Sequence, residues 1–225
     1  MLELTGPARL STFAPPRSCH CGTPDPLVRL ADLVLAAVLL TAFLPLILFA
    51  ALCVFASDGA SPLFVQRRLG RGGTPFACLK LRTMAPNADR RLAALLAADP
   101  AARTLWQSRQ KLVHDPRITP LGRFLRLTSI DELPQLVNIL VGDMSLVGPR
   151  PIVAAEVGRY GRRFAAYCDH RPGLTGLWQV SGRSRAGYPR RLACDRLFAR
   201  RRSLGLYLRI LAATVPTVLL ARGAC

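Results

Sequence analysis

Asp131 and Glu132 stand side by side at the head of an apolar periodic run (Ile130, Leu133, Leu136, Val137, Leu140). The run breaks at Gly142 and closes in Gly148-Pro149-Arg150-Pro151. The spacing predicts a short amphipathic helix. Ser129, three residues before Glu132, has the pattern of a capping box, which would set both carboxylates in the first helical turn. Acidic residues are favoured there by the helix macrodipole alone, so the pair also fits a purely structural role, with Glu132 answering the Ser129 amide. The same physics supports chemistry. A helix N-terminus keeps a carboxylate ionised and offers amides to a phosphate. An ionised Asp beside a second carboxylate able to hold a metal is suited to attack a phosphoryl group. Arg150, held between Pro149 and Pro151, would be a pre-positioned fork for phosphate oxygens.

These residues need a scaffold and an anionic partner. The chain has 225 residues, enough for one domain plus attachments. A net charge of +18, carried almost wholly by arginine, calls for lipid head groups, phosphates or nucleic acid. Hydrophobic residues make up 51% of the chain and aromatics 7%, and no nucleic-acid-binding motif appears, which favours a membrane surface over nucleic acid. The seven cysteines are scattered and suggest no disulfide framework, in keeping with a reducing, cytoplasmic setting. Cys19-His20-Cys21 has no matching ligand pair at zinc spacing and reads as unligated tail.

Residues 1–26 are rich in Pro, Ser and Thr without periodicity and read as a disordered tail. From Leu33 to Ala56 no charge occurs, and a helix of that length reaches across a bilayer core of roughly 30 Å. Pro45 falls at its centre, where it removes a backbone hydrogen bond, and basic residues flank both ends (Arg9, Arg17 and Arg29; Arg67, Arg68 and Arg71). A spanning helix and one that bends at Pro45 back to the same face both fit, since the charge flanks give no direction. Leu63–Gln66 and Pro75–Leu79 read as two short strands joined by a Gly-rich basic turn, with Lys80 and Arg82 at the end of the second. Residues 87–111 read as a surface helix pair interrupted at Pro100, and His114 as a solvated loop residue. A basic helix is expected over Ala154–Tyr167. The stretch Arg171–Arg183 has too many glycines for regular structure. It reads either as an ordinary connection or as a substrate loop offering Thr175, Gln179 and Ser181, with glycines that allow close backbone approach. The C-terminal stretch, interrupted by Arg209 and Pro216, reads as an interfacial helix.

Taken in order, several stretches resemble the bacterial sugar transferases, the monotopic phosphoglycosyl transferases. They are the proline-centred apolar helix, Lys80-Leu-Arg-Thr-Met84, Asp115-Pro-Arg-Ile-Thr119, Gly122-Arg-Phe-Leu-Arg126 and Ser129-Ile-Asp-Glu-Leu-Pro-Gln135, followed by Gly142-Asp-Met-Ser-Leu-Val-Gly-Pro-Arg-Pro151 and Pro172-Gly-Leu-Thr-Gly176 with Gln179-Val-Ser-Gly-Arg183. The resemblance covers about residues 27–211. It departs from the family pattern at Leu44 (usually Ser), Leu197 and Phe198 (commonly a Tyr pair) and Tyr207 (commonly acidic).

The resemblance implies an α+β, mainly helical fold. A re-entrant membrane helix over 27–57, breaking at Pro45, would precede a catalytic domain over 58–225 with a short β-hairpin and interfacial helices. It implies transfer of a sugar 1-phosphate from a UDP-sugar to undecaprenyl phosphate, with release of UMP, at the cytoplasmic face of the bacterial inner membrane. Asp131 would be the nucleophile that carries the phosphosugar and Glu132 the partner carboxylate contacting Mg²⁺. Arg150 would contact phosphate, Lys80 and Arg82 would line the same pocket, and Arg183 with Gln179 would belong to a second substrate-side motif. Anionic lipid head groups and downstream glycosyltransferases are the further implied partners. A non-catalytic basic scaffold at the membrane surface is the competing reading, and it has no use for adjacent carboxylates.

Overall fold

The computed structural model describes residues 25–109, 112, 115–182 and 187–219. Most of the tail, Cys19-His20-Cys21, His114 and Arg183 lie outside them. The fold is mainly helical with two small two-stranded sheets. Helix α1 (Pro26–Asp58) starts where the Asp25 carboxylate caps the amides of Leu27 and Val28 and Pro26 supplies a pre-set φ. It ends at Gly59, whose φ of 70° is left-handed. Strands β1 (Leu63–Leu69) and β2 (Pro75–Leu81) pair antiparallel, two or three residues longer than the sequence expectation. Helices α2 (Ala88–Ala98) and α3 (Pro100–Arg109) form the expected pair, with Pro100 opening the second. Helix α4 (Pro120–Thr128) is capped by Thr119 on the Gly122 amide. Helix α5 (Gln135–Val141) follows, then β3 (Ser145–Val147), α6 (Val157–Tyr160), α7 (Phe164–Cys168), β4 (Gly173–Thr175), α8 (Leu177–Val180), α9 (Tyr188–Arg201) and α10 (Leu204–Leu219).

Helix α1 runs as one helix through Pro45, without the break expected there. A 33-residue helix is about 50 Å long, and both of its ends hold the same body. Near the start, Arg29 donates to the carbonyls of Ile139 (2.8 Å) and Leu140 (3.1 Å), capping α5. Ala36 enters the core with Leu136, Ile139 and Met144. Near the end, Ala50 and Val54 pack on Leu81 and Leu125, and Asp58 pairs with Arg82. Between these contacts residues 41–46, Pro45 included, are all exposed. Only 17% of the helix's most apolar window is buried, so this is no core helix of a soluble protein.

The start of α1 is held by a buried carboxylate. Asp32 is 1% exposed, and its Oδ1 accepts from Ser145 Oγ (3.0 Å), the Leu146 amide (2.8 Å) and Tyr207 OH (2.8 Å). Helix α1, strand β3 and helix α10 thus meet on one atom. Tyr207 and Phe198, two departures from the family pattern, are both buried in the main core. Leu44 and Leu197, the other two, are exposed at 45% and 43%.

Three sequence expectations change. The Ser129–Glu132 capping box does not form. Ser129 has φ 60° and closes α4 as its C-cap, so Ile130–Glu132 make a 3₁₀ turn and α5 starts only after Pro134. The single helix over Ala154–Tyr167 is split into short pieces at Gly161, where φ is 51°. The glycine-rich stretch is regular after all, because β4 pairs parallel with β3 in the register Ser145–Gly173 and Val147–Thr175. The glycines permit that pairing: a β-carbon on Gly173 would fall 2.0 Å from the Gly148 nitrogen.

Replacing Asp32 by Ala leaves three buried donors without their acceptor, each loss costing about 1–3 kcal/mol. We expect a large fall in Tm in detergent. Tyr207→Phe, which removes one donor and leaves two, should cost about 1 kcal/mol. Equal Tm losses in the two variants would contradict this assignment.

Candidate active site

One face of the β1–β2 hairpin, the 3₁₀ turn and the Pro149-Arg150-Pro151 turn converge on a cleft. It is lined by Arg68, Cys78, Lys80, Glu132, Gln135, Arg150 and Pro151, with Gly173 and Leu174 of β4 at its edge. In the hairpin register Gln66, Arg68, Cys78 and Lys80 fall on one face by the two-residue period of a strand. The 3₁₀ turn sets Asp131 and Glu132 in different surroundings. Glu132 is half-buried and accepts from Lys80 Nζ at 2.7 Å. Asp131 is buried, 7% exposed. Burial and the neighbouring Glu132 charge push its carboxyl up to about 6, while Lys80, Arg126 and Arg150 pull the other way. The group is therefore mostly ionised at pH 7, with its charge poorly solvated.

Arg150 is held from behind. Its guanidinium lies 5.9 Å from the Trp178 ring centre, and Arg191 stacks on the same ring at 5.6 Å. Arg191 also donates to Glu156 (3.1 Å) and to the Arg150 carbonyl (3.4 Å). Arg68 donates to the Pro151 carbonyl at 2.9 Å. Two guanidiniums thus hold the successive carbonyls of Arg150 and Pro151. Desolvation and the Arg150 charge lower the Arg68 pKa, a sign that positive charge is concentrated here. Asp195, also pushed up to about 6 by burial, accepts from Tyr160 OH at 2.7 Å and lowers the field from below.

Glu132, Lys80, Arg150 and Pro151 line the cleft; Asp131 is buried next to Glu132, outside the lining, and within reach of the Lys80 and Arg150 charges. Pro149 holds the turn from the other side, its carbonyl accepting from the Gly173 amide at 2.9 Å. Arg82 does not join them. Although it follows Lys80 by two residues, it lies at the strand end, where Asp58 takes its guanidinium and the carbonyls of Ala60, Ser61 and Met84 accept from it. Gln179 is buried on α8, and neither its oxygen nor its nitrogen has a hydrogen-bond partner among the described residues. The same holds for Gln135 Nε2 in the cleft wall. Sequence reasoning passed over Arg68, Gln135 and Arg191. The alternation Gln66–Arg68 opposite Cys78–Lys80 was a usable signal for the first. Nothing local marked Arg191, which reaches the site through the packing of α9.

With this geometry described, the chain can be compared with known proteins. The bacterial sugar transferase family model matches residues 24–221, and the chain belongs to that family. It is 45% identical over 195 residues to an exopolysaccharide production protein, ExoY, of Sinorhizobium fredii, covering 87% of this chain and 86% of that one. It is 44% identical over 200 residues to the UDP-glucose:undecaprenyl-phosphate glucose-1-phosphate transferase of Caulobacter vibrioides, covering 85% of this chain and 69% of that one. It is 44% identical over 198 residues to the undecaprenyl-phosphate galactose phosphotransferase of Salmonella typhimurium, covering 88% of this chain but 41% of that protein.

The raised Asp131 pKa has a stability consequence. The folded group keeps its proton up to about 6 whereas the unfolded one loses it near 3.8, so stability falls as pH rises between those values. The deficit, about 3 kcal/mol for a shift of this size, then stays constant. Asp131→Asn removes the ionisation. Its Tm should match the parent near pH 4 and exceed it at pH 7 and above; a gain independent of pH would contradict the assignment.

Proposed function

We propose that this protein transfers a sugar 1-phosphate from a UDP-sugar to undecaprenyl phosphate, releasing UMP, as the first membrane step of a polysaccharide assembly. The observation that carries this reading is the buried Asp131 carboxylate flanked by Lys80 and Arg150 within a family of sugar transferases. Two of the similar proteins, by their names, act between sugar phosphates and undecaprenyl phosphate.

In the mechanism, an Asp131 carboxylate oxygen attacks the phosphorus next to the sugar. The phosphoanhydride bond breaks and UMP leaves with the electron pair, so Asp131 becomes an acyl phosphate carrying the sugar. An oxygen of undecaprenyl phosphate then attacks the same phosphorus, forming the lipid diphosphate sugar and restoring Asp131. Poor solvation raises the basicity of the carboxylate while leaving it ionised at neutral pH. Arg150 and Lys80 meet the phosphate charge with donors already in place. Gln135, whose buried nitrogen lacks a partner, is available to a ligand oxygen.

Among the described residues no cluster of three potential metal ligands occurs. Two adjacent carboxylates nevertheless suit Mg²⁺, which usually takes one or two carboxylates together with substrate phosphates. Glu132, with Asp131 beside it, would hold the ion. Bound there, it would neutralise diphosphate charge and polarise the leaving phosphate. Lys80 would then exchange Glu132 for phosphate.

The membrane reading follows from α1. Its two ends grip one body, its middle is exposed and apolar, and Pro45 sits in the stretch without contacts. These features support a re-entrant helix that enters and leaves the inner membrane on the cytoplasmic side. Phe124 and Leu127 on α4, with Leu204 and Leu208 on α10, add exposed apolar side chains suited to the interface.

Two measurements test this reading. Membranes containing the protein, given Mg²⁺, undecaprenyl phosphate and a panel of UDP-sugars, should release UMP with one donor. The activity should fall as pH drops through about 6, where Asp131 gains its proton, and it should vanish in Asp131→Asn. UMP release that survives that substitution would remove Asp131 as nucleophile. For topology, single cysteines at Leu27 and Ser61 in a cysteine-free background should both react with an impermeant thiol reagent from the cytoplasmic side. Labelling from opposite sides would replace the re-entrant helix with a spanning one.

A further inference from the structure

A second cleft lies at the start of α1 and shares no lining residue with the cleft of Lys80, Glu132 and Arg150. Four arginines border it (Arg29, Arg71, Arg171 and Arg202), together with His170. Three carboxylates border it too, but two are committed elsewhere. Asp25 caps the first turn of α1, and Asp32 is buried with its Oδ1 taken by three donors. Asp32 still opposes the lowering of Arg171, and Asp169 that of His170, so two carboxylate charges face four guanidiniums.

The cationic groups are not all spent on the protein. Arg29 caps α5, and Arg171 Nε donates to the Gly142 carbonyl at 2.8 Å. The two terminal nitrogens of Arg171 make no hydrogen bond among the described residues, and neither does the half-buried Arg202. His170 Nδ1 is a buried polar atom without a hydrogen-bond partner among the described residues, and its ring meets Phe198 edge-on at 5.8 Å. Guanidiniums gathered this closely repel one another. Burial and the charges of Arg29, Arg71 and Arg202 lower the Arg171 pKa, and burial with Arg202 and Arg71 lowers that of His170. An anion placed between them would relieve that repulsion and satisfy the free donors. The rim of the helix here is apolar, with Leu27 62% and Leu30 59% exposed. The cleft therefore opens where a membrane helix starts.

We propose that this cleft is a second phosphate-binding site, separate from the catalytic one, in which Arg171 and Arg202 take a phosphate group at the membrane surface. Two sources share that chemistry: a phospholipid head group, whose chains would lie along Leu27 and Leu30, and a free phosphate from the cytoplasm. The site does not depend on the proposed transfer reaction, and its test does not read turnover.

The test follows the His170 imidazole by NMR in the full-length protein in non-ionic detergent, assigned with His170→Gln. Short-chain phosphatidylglycerol, inorganic phosphate and sodium chloride at matched ionic strength are titrated separately. An anion held beside His170 stabilises its protonated form, so its pKa should shift upward. A shift with the lipid alone assigns the site to head groups, and a shift with inorganic phosphate as well assigns it to phosphate groups of either source. Arg202→Gln removes a side chain that bonds to no described residue and should abolish the shift. No shift with either phosphate compound, an equal shift with chloride, or a full shift retained in Arg202→Gln would each overturn the proposal.

Discussion

A single buried carboxylate oxygen organises this molecule. Asp32 lies on the membrane helix, yet its acceptor is used by the strand that precedes the Gly148–Pro151 turn and by the last helix. A charged oxygen in a core is tolerable only when its hydrogen-bonding capacity is met. Meeting it forces α1, β3 and α10 into one arrangement. Because β3 leads directly into the turn that carries Arg150, the same contact sets α1 and that arginine relative to each other.

The cleft shows how position makes two neighbouring carboxylates different. Glu132 faces the hairpin and finds Lys80; Asp131 points inward and finds little to solvate it. The 3₁₀ turn separates them, since its tighter winding and the following Pro134 deny the regular first turn of an α-helix. Arg150 and Arg191 both lie against the Trp178 ring, and Arg191 also holds the Arg150 carbonyl.

Much of this was legible in the sequence. The apolar helix, the hairpin and the paired surface helices follow from periodicity, whereas the grouping of Asp131, Glu132, Lys80 and Arg150 came only from the family resemblance. What was not legible depended on contacts between distant segments. Ser129 matches an N-cap by spacing, but it is spent closing α4, a choice made by backbone geometry and not by the local pattern. The glycines at 173 and 176 look like a loop until a parallel partner, β3, is known. Arg82 resembles Lys80 in position and charge, and only the place where α1 ends, at Asp58, reveals that its guanidinium is occupied. Tyr207, read from the resemblance as a departure from an acidic position, becomes sensible as a neutral donor only beside the buried Asp32.

The span of that Asp32 contact also bears on how the chain is made. Tyr207 lies 175 residues after the carboxylate it satisfies. The apolar helix leaves the ribosome early, while its buried acceptor waits for the last helix to be synthesised. Until then only the two donors of β3 can meet it, so a product truncated before α10 would hold Asp32 through Ser145 and Leu146 alone.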